Sequence, residues 1–214
     1  MNVNIDKIYE YLLKYIDNYE SPFVELFSRK ERDPFKTLIS TILSARTNDK
    51  TTAIVSRNLF LKINNLDDLK KIDEKELSEL IKPINYYNNK TKFLKKLPYI
   101  IEENFNGEIP NTLEELKQLP GVGNKTAGII LYTSFNKPAI FVDTHVHKVL
   151  NRIGYVNTKT PQETDKILRE KLPKKYWGKL NSMLVILGQN ICLTRKPKCE
   201  VCPIEKYCNK RFDN

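Results

Sequence analysis

Apolar residues recur at helical spacing along almost the whole chain, and this periodicity constrains the fold more than any other feature of the sequence. Ile5, Ile8, Tyr9, Leu12, Leu13, Ile16 and Tyr19 fall on one face at i, i+3, i+4, which predicts an amphipathic helix over residues 5–19. Asp33-Pro34 supplies an N-cap followed by proline in the first turn, opening a helix that turns Phe35, Leu38, Ile39, Ile42 and Leu43 inward. The same reasoning predicts helices over roughly 49–62, 74–81, 89–104, 112–118, 124–134, 144–153, 162–171 and 177–191. Thr112-Leu-Glu-Glu115 has capping-box spacing. Pro98 is expected to kink or split the 89–104 helix. Ala139-Ile-Phe-Val142 is apolar, but no alternating segments are joined by hairpin turns. An all-α fold is expected.

The best inter-domain joint is around Asn136-Lys-Pro138, and the N-terminal helix, which precedes Ser21-Pro22, is expected to pack back onto the C-terminal half. Among 214 residues, Lys and Arg outnumber Asp and Glu by 36 to 26, a net charge of +10. Such an excess points to a polyanionic partner, DNA or RNA, against the plainer reading of a solvated basic surface. No stretch approaches the length of a membrane span, and the first residues lack the basic-then-apolar layout of a signal peptide. The expectation is an intracellular protein that does not engage membranes.

Between two predicted helices lies Leu119-Pro-Gly-Val-Gly123. Pro120 stiffens its entry, while Gly121 and Gly123 are expected to permit positive φ and close backbone approach around Val122. The turn and the following helix start would then present N–H groups to a phosphate, reinforced by the helix dipole. Lys125 follows in the first turn. A lysine attacks only after losing its proton, and its ordinary pKa of about 10.4 leaves almost none neutral at pH 7. A helix N-terminus and desolvation both favour the neutral form. A solvated surface cation is the alternative. Asp143 precedes the apolar-periodic segment Val146, Val149, Leu150, Ile153 and is expected to cap it, a role compatible with stabilising an oxocarbenium-like sugar or moving a proton. His145 and His147 face different directions and read as structural or phosphate-adjacent.

All four cysteines lie near the C-terminus as Cys192-x6-Cys199-x2-Cys202-x5-Cys208. Their clustering argues for one metal site over two disulfides. Spacing alone leaves zinc and iron–sulfur open. Arg195, Lys196 and Lys198 sit between the first two ligands, so a loop pinned at both ends could clamp phosphate.

Leu119-Pro-Gly-Val-Gly-Asn-Lys125-Thr-Ala, Val142-Asp143-Thr-His and the cysteine tail together resemble endonuclease III, in the helix–hairpin–helix DNA glycosylase superfamily. The resemblance runs from Pro34 through Cys208 and includes Ile42-Leu-Ser-Ala-Arg-Thr-Asn-Asp49, similar to the family's lesion-side segment. It implies two helical domains, residues 23–136 with the hairpin and residues 1–22 plus 137–214 with a 4Fe–4S cluster, and a DNA cleft between them. It also implies Lys125 as Schiff-base nucleophile, Asp143 as catalytic aspartate, and Cys192, Cys199, Cys202 and Cys208 as cluster ligands. The partner it implies is duplex DNA with damaged bases, oxidised pyrimidines foremost, or abasic sites, handled by a monomer at the nucleoid. Many relatives carry glutamine where this chain has Arg46, a residue that fills the gap left by the flipped nucleotide. Two other readings remain: a monofunctional mismatch glycosylase, against which Thr41 counts because the adenine-removing branch carries glutamate nearby, and a non-catalytic DNA-binding module.

Overall fold

The computed structural model describes residues 3–16 and 32–212. They form α1 (Ile5–Ile16), α2 (Pro34–Ser44), α3 (Asp49–Leu59), α4 (Leu66–Lys71), α5 (Glu74–Ile81), α6 (Tyr87–Phe105), α7 (Leu113–Leu116), α8 (Asn124–Thr133), α9 (Thr144–Ile153), α10 (Pro161–Lys171) and α11 (Lys179–Asn190). Single 3-10 turns occupy Lys174–Tyr176, Cys199–Val201 and Glu205–Tyr207. No strand occurs among the described residues, and Ala139–Val142 is an irregular, buried segment. No helix among them is long and apolar enough to cross a membrane.

Side-chain caps start most of these helices. Asp33, Asn48, Asn65, Asp73, Thr112, Asp143 and Thr160 each accept a backbone N–H from the first turn that follows, at about 1 kcal/mol apiece. The Thr112 hydroxyl also meets the Glu115 carboxylate at 2.7 Å, so the expected capping pair forms. Residues 17–19 of the expected N-terminal helix, and Ser21-Pro22 after it, lie outside the described residues. Periodicity missed α4, which is too short to show a face. Its signals are the Asn65 cap, acidic Asp67 and Asp68 in the first turn, and basic Lys70 and Lys71 in the last.

Pro98 does not split its helix: α6 runs uninterrupted from Tyr87 to Phe105 with Pro98 buried. An interior proline costs about 3 kcal/mol. Leu94, Leu97 and Ile101 are fully buried on the same helix, which packs against α4 and α5, and burying each such side chain returns about 1.5–3 kcal/mol. Packing therefore outweighs the lost hydrogen bond.

The chain divides into two compact units, residues 22–137 and residues 1–21 with 138–214. In the first, α2 lies against α3, α6 and α8. In the second, Ile8 and Leu12 of α1 join Val146, Val149 and Leu150 of α9 and Met183, Leu184 and Leu187 of α11 in one core. The N-terminal helix therefore packs on the C-terminal half. α9 and α11 approach closely because Gly188 has no side chain: a Cβ there would lie 2.9 Å from Cβ of His145.

Candidate active site

The loop between α7 and α8 takes its shape from one glycine. Gly121 has φ +80°, and a Cβ added there would fall 2.9 Å from Cδ2 of Phe93. Val122 is buried and donates its N–H to the Leu119 carbonyl at 3.1 Å. Gly123 departs from expectation. Its φ is −105°, it serves as the N-cap of α8, and open space surrounds it. An N-cap is extended, so positive φ is not required there. No side chain caps α8, and Gly123, Asn124 and Lys125 are exposed at its start. The N–H groups of an uncapped helix start suit an anion.

Lys125 is the second residue of α8 and is exposed. The expected desolvation by burial is therefore not seen at this residue. Asp143 belongs to the other compact unit, where one carboxylate oxygen accepts the N–H groups of His145 and Val146, both at 2.9 Å. The expected cap is present. His147 is structural: its Nδ1 lies 2.7 Å from Oγ1 of Thr164 within a network that includes Asn151 and Thr158, and burial lowers its pKa. Nδ1 of His145 is buried without a hydrogen-bond partner, behind the helix contact at Gly188.

Arg46 is exposed just after α2, at φ +58°. Its guanidinium lies 5.7 Å from the ring centre of Tyr86 and donates to the tyrosine hydroxyl at 3.4 Å. Tyr86 is itself at φ +60° and 60% exposed. Sequence reasoning missed this neighbour, since nothing local links residues 40 apart. Below them Lys90 is buried, and that burial pushes its ammonium down to about 8.

The four cysteines line one pocket, together with Val149, Ile153, Leu187, Ile191 and Ile204 and with charged Arg152, Lys198, Glu205 and Lys210 among others. Among the described residues, no group of three or more histidine, cysteine or acidic side chains is arranged to hold a metal ion. Four soft thiols beside one largely apolar pocket are donors of the kind that suits an iron–sulfur group. N–H donors already face two sulfurs: the Arg152 guanidinium is 3.4 Å from Sγ of Cys192, and the Lys210 N–H is 3.4 Å from Sγ of Cys208. Burial pushes the Cys202 thiol up to about 11 and raises Cys208, so metal binding here must displace protons.

The basic loop between Cys192 and Cys199 is also held by the protein itself. The Lys198 N–H donates to the Ile191 carbonyl at 3.0 Å, closing the loop. Arg152 on α9 donates to the carbonyls of Leu193 at 2.7 Å and Thr194 at 3.0 Å, while Lys148 reaches Thr194 Oγ1 at 3.4 Å. Arg195, Lys196 and Lys198 are left exposed. Arg152 and Lys148 had no sequence signal beyond being cations on a helix.

Residues 39–174 match the sequence family described as HhH-GPD superfamily base excision DNA repair protein. The endonuclease III of Thermotoga maritima is 42% identical over 195 residues, covering 90% of this chain and 92% of that protein. Among solved structures, a non-covalent endonuclease III–DNA complex matches with a TM-score of 0.85 and 32% identity, over 96% of this chain and 94% of that one. A trapped endonuclease III–DNA covalent intermediate matches with a TM-score of 0.85 and 31% identity over the same shares.

Proposed function

The chain belongs to the endonuclease III group of the HhH-GPD superfamily of base excision DNA repair proteins, and from that premise we propose a bifunctional DNA glycosylase and abasic-site lyase with Lys125 as nucleophile. The observation that carries this reading is the position of Lys125, exposed on the first turn of α8 directly after the uncapped glycine hairpin. Backbone N–H groups of Gly123 and its neighbours hold a phosphate, and the amine follows within one turn. A relative trapped covalently on DNA supports a nucleophilic mechanism.

The substrate is duplex DNA carrying a damaged base, oxidised pyrimidines above all. A base inside the duplex is out of reach, so the nucleotide is extruded, and poorly stacked lesions cost less to extrude. Nζ of Lys125 bonds to C1′ as the glycosidic bond breaks, and the base leaves with the electron pair and takes up a proton. Asp143, fixed at its cap by two N–H bonds, stabilises the positive charge developing at C1′. Opening of the sugar gives an iminium, which acidifies C2′. Loss of the C2′ proton then expels the 3′ phosphate by β-elimination, and hydrolysis frees Lys125. Arg46 fills the gap left by the extruded nucleotide and donates to the orphaned base, while Arg195, Lys196 and Lys198 take backbone phosphates.

Cys192, Cys199, Cys202 and Cys208 would hold a 4Fe–4S cluster, which when bound supplies a one-electron redox centre. Held there, it would brace the basic loop that Arg152 already grips.

Borohydride reduction during turnover is expected to trap a covalent adduct with abasic-site DNA. Lys125→Gln should abolish it, and trapping undiminished in that variant would sink the assignment. Binding without strand cleavage by the unaltered protein would instead favour a non-catalytic module.

A further inference from the structure

Lys90 and Asn85 belong to the compact unit that carries Arg46, and the chemistry above gives neither a role. Lys90 is 5% exposed. A buried ammonium is strongly unfavourable unless its donors are answered, and an apolar side chain of similar volume fills the same space at lower cost. A cation retained there has to hold something. Its Nζ donates to the carbonyls of Leu43 at 2.8 Å and Ala45 at 2.7 Å. These lie at the C-terminal end of α2, where the helix dipole favours a positive charge.

The residue immediately after the second carbonyl is Arg46, in a left-handed conformation that is unfavourable for arginine. Asn85 grips the turn from beyond Arg46, its side-chain amide donating to the Arg46 carbonyl and its N–H to Oγ1 of Thr47 at 3.2 Å. Tyr86 follows at φ +60° with its ring against the guanidinium. Two neighbouring left-handed residues, neither of them glycine, persist only where the surroundings over-determine them. Lys90 and Asn85 hold the backbone on either side of Arg46.

We propose that Lys90, assisted by Asn85, is a positioning residue for Arg46, holding the turn so that the guanidinium meets the base opposite the excised nucleotide in one fixed geometry. The inference rests on the Arg46 reading above, and its test separates the two. Excision of 5-hydroxyuracil is measured under single-turnover conditions opposite each of the four bases, for the unaltered enzyme, Arg46→Ala, Lys90→Met, Asn85→Ala and Lys90→Met/Arg46→Ala. A control duplex places 5-hydroxyuracil opposite a one-nucleotide gap, where Arg46 has no base to meet. Lys90→Met should lower discrimination between the best and worst opposite bases roughly tenfold or more, with little change on the gapped duplex. In the Arg46→Ala background it should have no further effect.

Indifference of the unaltered enzyme to the opposite base, or discrimination unchanged in Arg46→Ala, overturns the Arg46 reading and this inference with it. Discrimination lost in Arg46→Ala but kept in Lys90→Met overturns the positioning role alone, as does an equal loss of rate on the gapped duplex. Should Lys90→Met fail to fold, Asn85→Ala decides, because Asn85 is exposed and its loss threatens only the turn. Unchanged discrimination in that variant overturns the proposal, and a loss that vanishes without Arg46 supports it.

Discussion

At the scale of single residues, Asp143 combines two duties that one substitution separates. Its carboxylate caps α9 through two N–H bonds, and asparagine caps a helix nearly as well. Asp143→Asn should therefore cost at most about 1 kcal/mol of stability, the lost charge–dipole term. Excision should fall roughly 100-fold or more, because a neutral amide does not stabilise positive charge at C1′. Thermal melting and single-turnover rates measure the two effects; full activity in this variant would remove Asp143 from the chemistry. The places of Lys125 and Asp143 at two helix starts could be read from neighbouring residues, while their proposed roles rest on the family resemblance. Their surroundings could not be read that way. The exposure of Lys125 is a property of the folded surface, which helix position alone does not specify.

At the scale of elements, the hairpin contains two glycines with different duties. Gly121→Ala should destabilise by roughly 1–3 kcal/mol, because φ +80° and contact with Phe93 both penalise a Cβ. Gly123→Ala meets open space at an ordinary φ and should cost only the N-cap preference for glycine over alanine, about 1 kcal/mol or less. If the DNA backbone passes as closely as proposed, it should still weaken binding to abasic-site DNA. Equal melting losses for the two variants would contradict this division. The basic loop offers a second element-scale test. Arg152→Gln removes the charge-assisted bonds to Leu193 and Thr194, so the loop should bind DNA roughly tenfold more weakly. Fluorescence anisotropy measures the change, and unaltered affinity would mean that the loop is held without Arg152. Both glycines were visible in the sequence; which one the turn strains depends on where Phe93 packs.

At the scale of the whole molecule, the net charge of +10 becomes a statement about salt. Each phosphate contact contributes about −0.9 to the slope of log affinity against log salt. Replacing Arg195, Lys196 and Lys198 together by serine should flatten that slope by roughly 2.7 if all three touch phosphate. The same replacement of exposed Lys14, Lys82 and Lys117 serves as the control, with slopes read from binding titrations at several salt concentrations. An unchanged slope in the first set would return the loop to a solvated charge run. Composition suggested a polyanion, but only the fold shows that this loop is closed by Lys198 and gripped by Arg152, which leaves its cations outward.

What the sequence determined by itself was local: the helices with their capped starts, the hairpin, the lysine and aspartate at two helix beginnings, and four cysteines near one end. Helical period and capping act within one or two turns, so neighbouring residues are enough to specify them. The tertiary structure decided the rest. It kept α6 intact through Pro98 by burying the surrounding leucines, and it set Tyr86 against Arg46. It also buried Lys90 beneath the end of α2 and brought Arg152 to the cysteine loop. Each of these contacts joins residues far apart in the chain. No local rule ranks such pairings, because packing selects among them only when the helices of each compact unit come together.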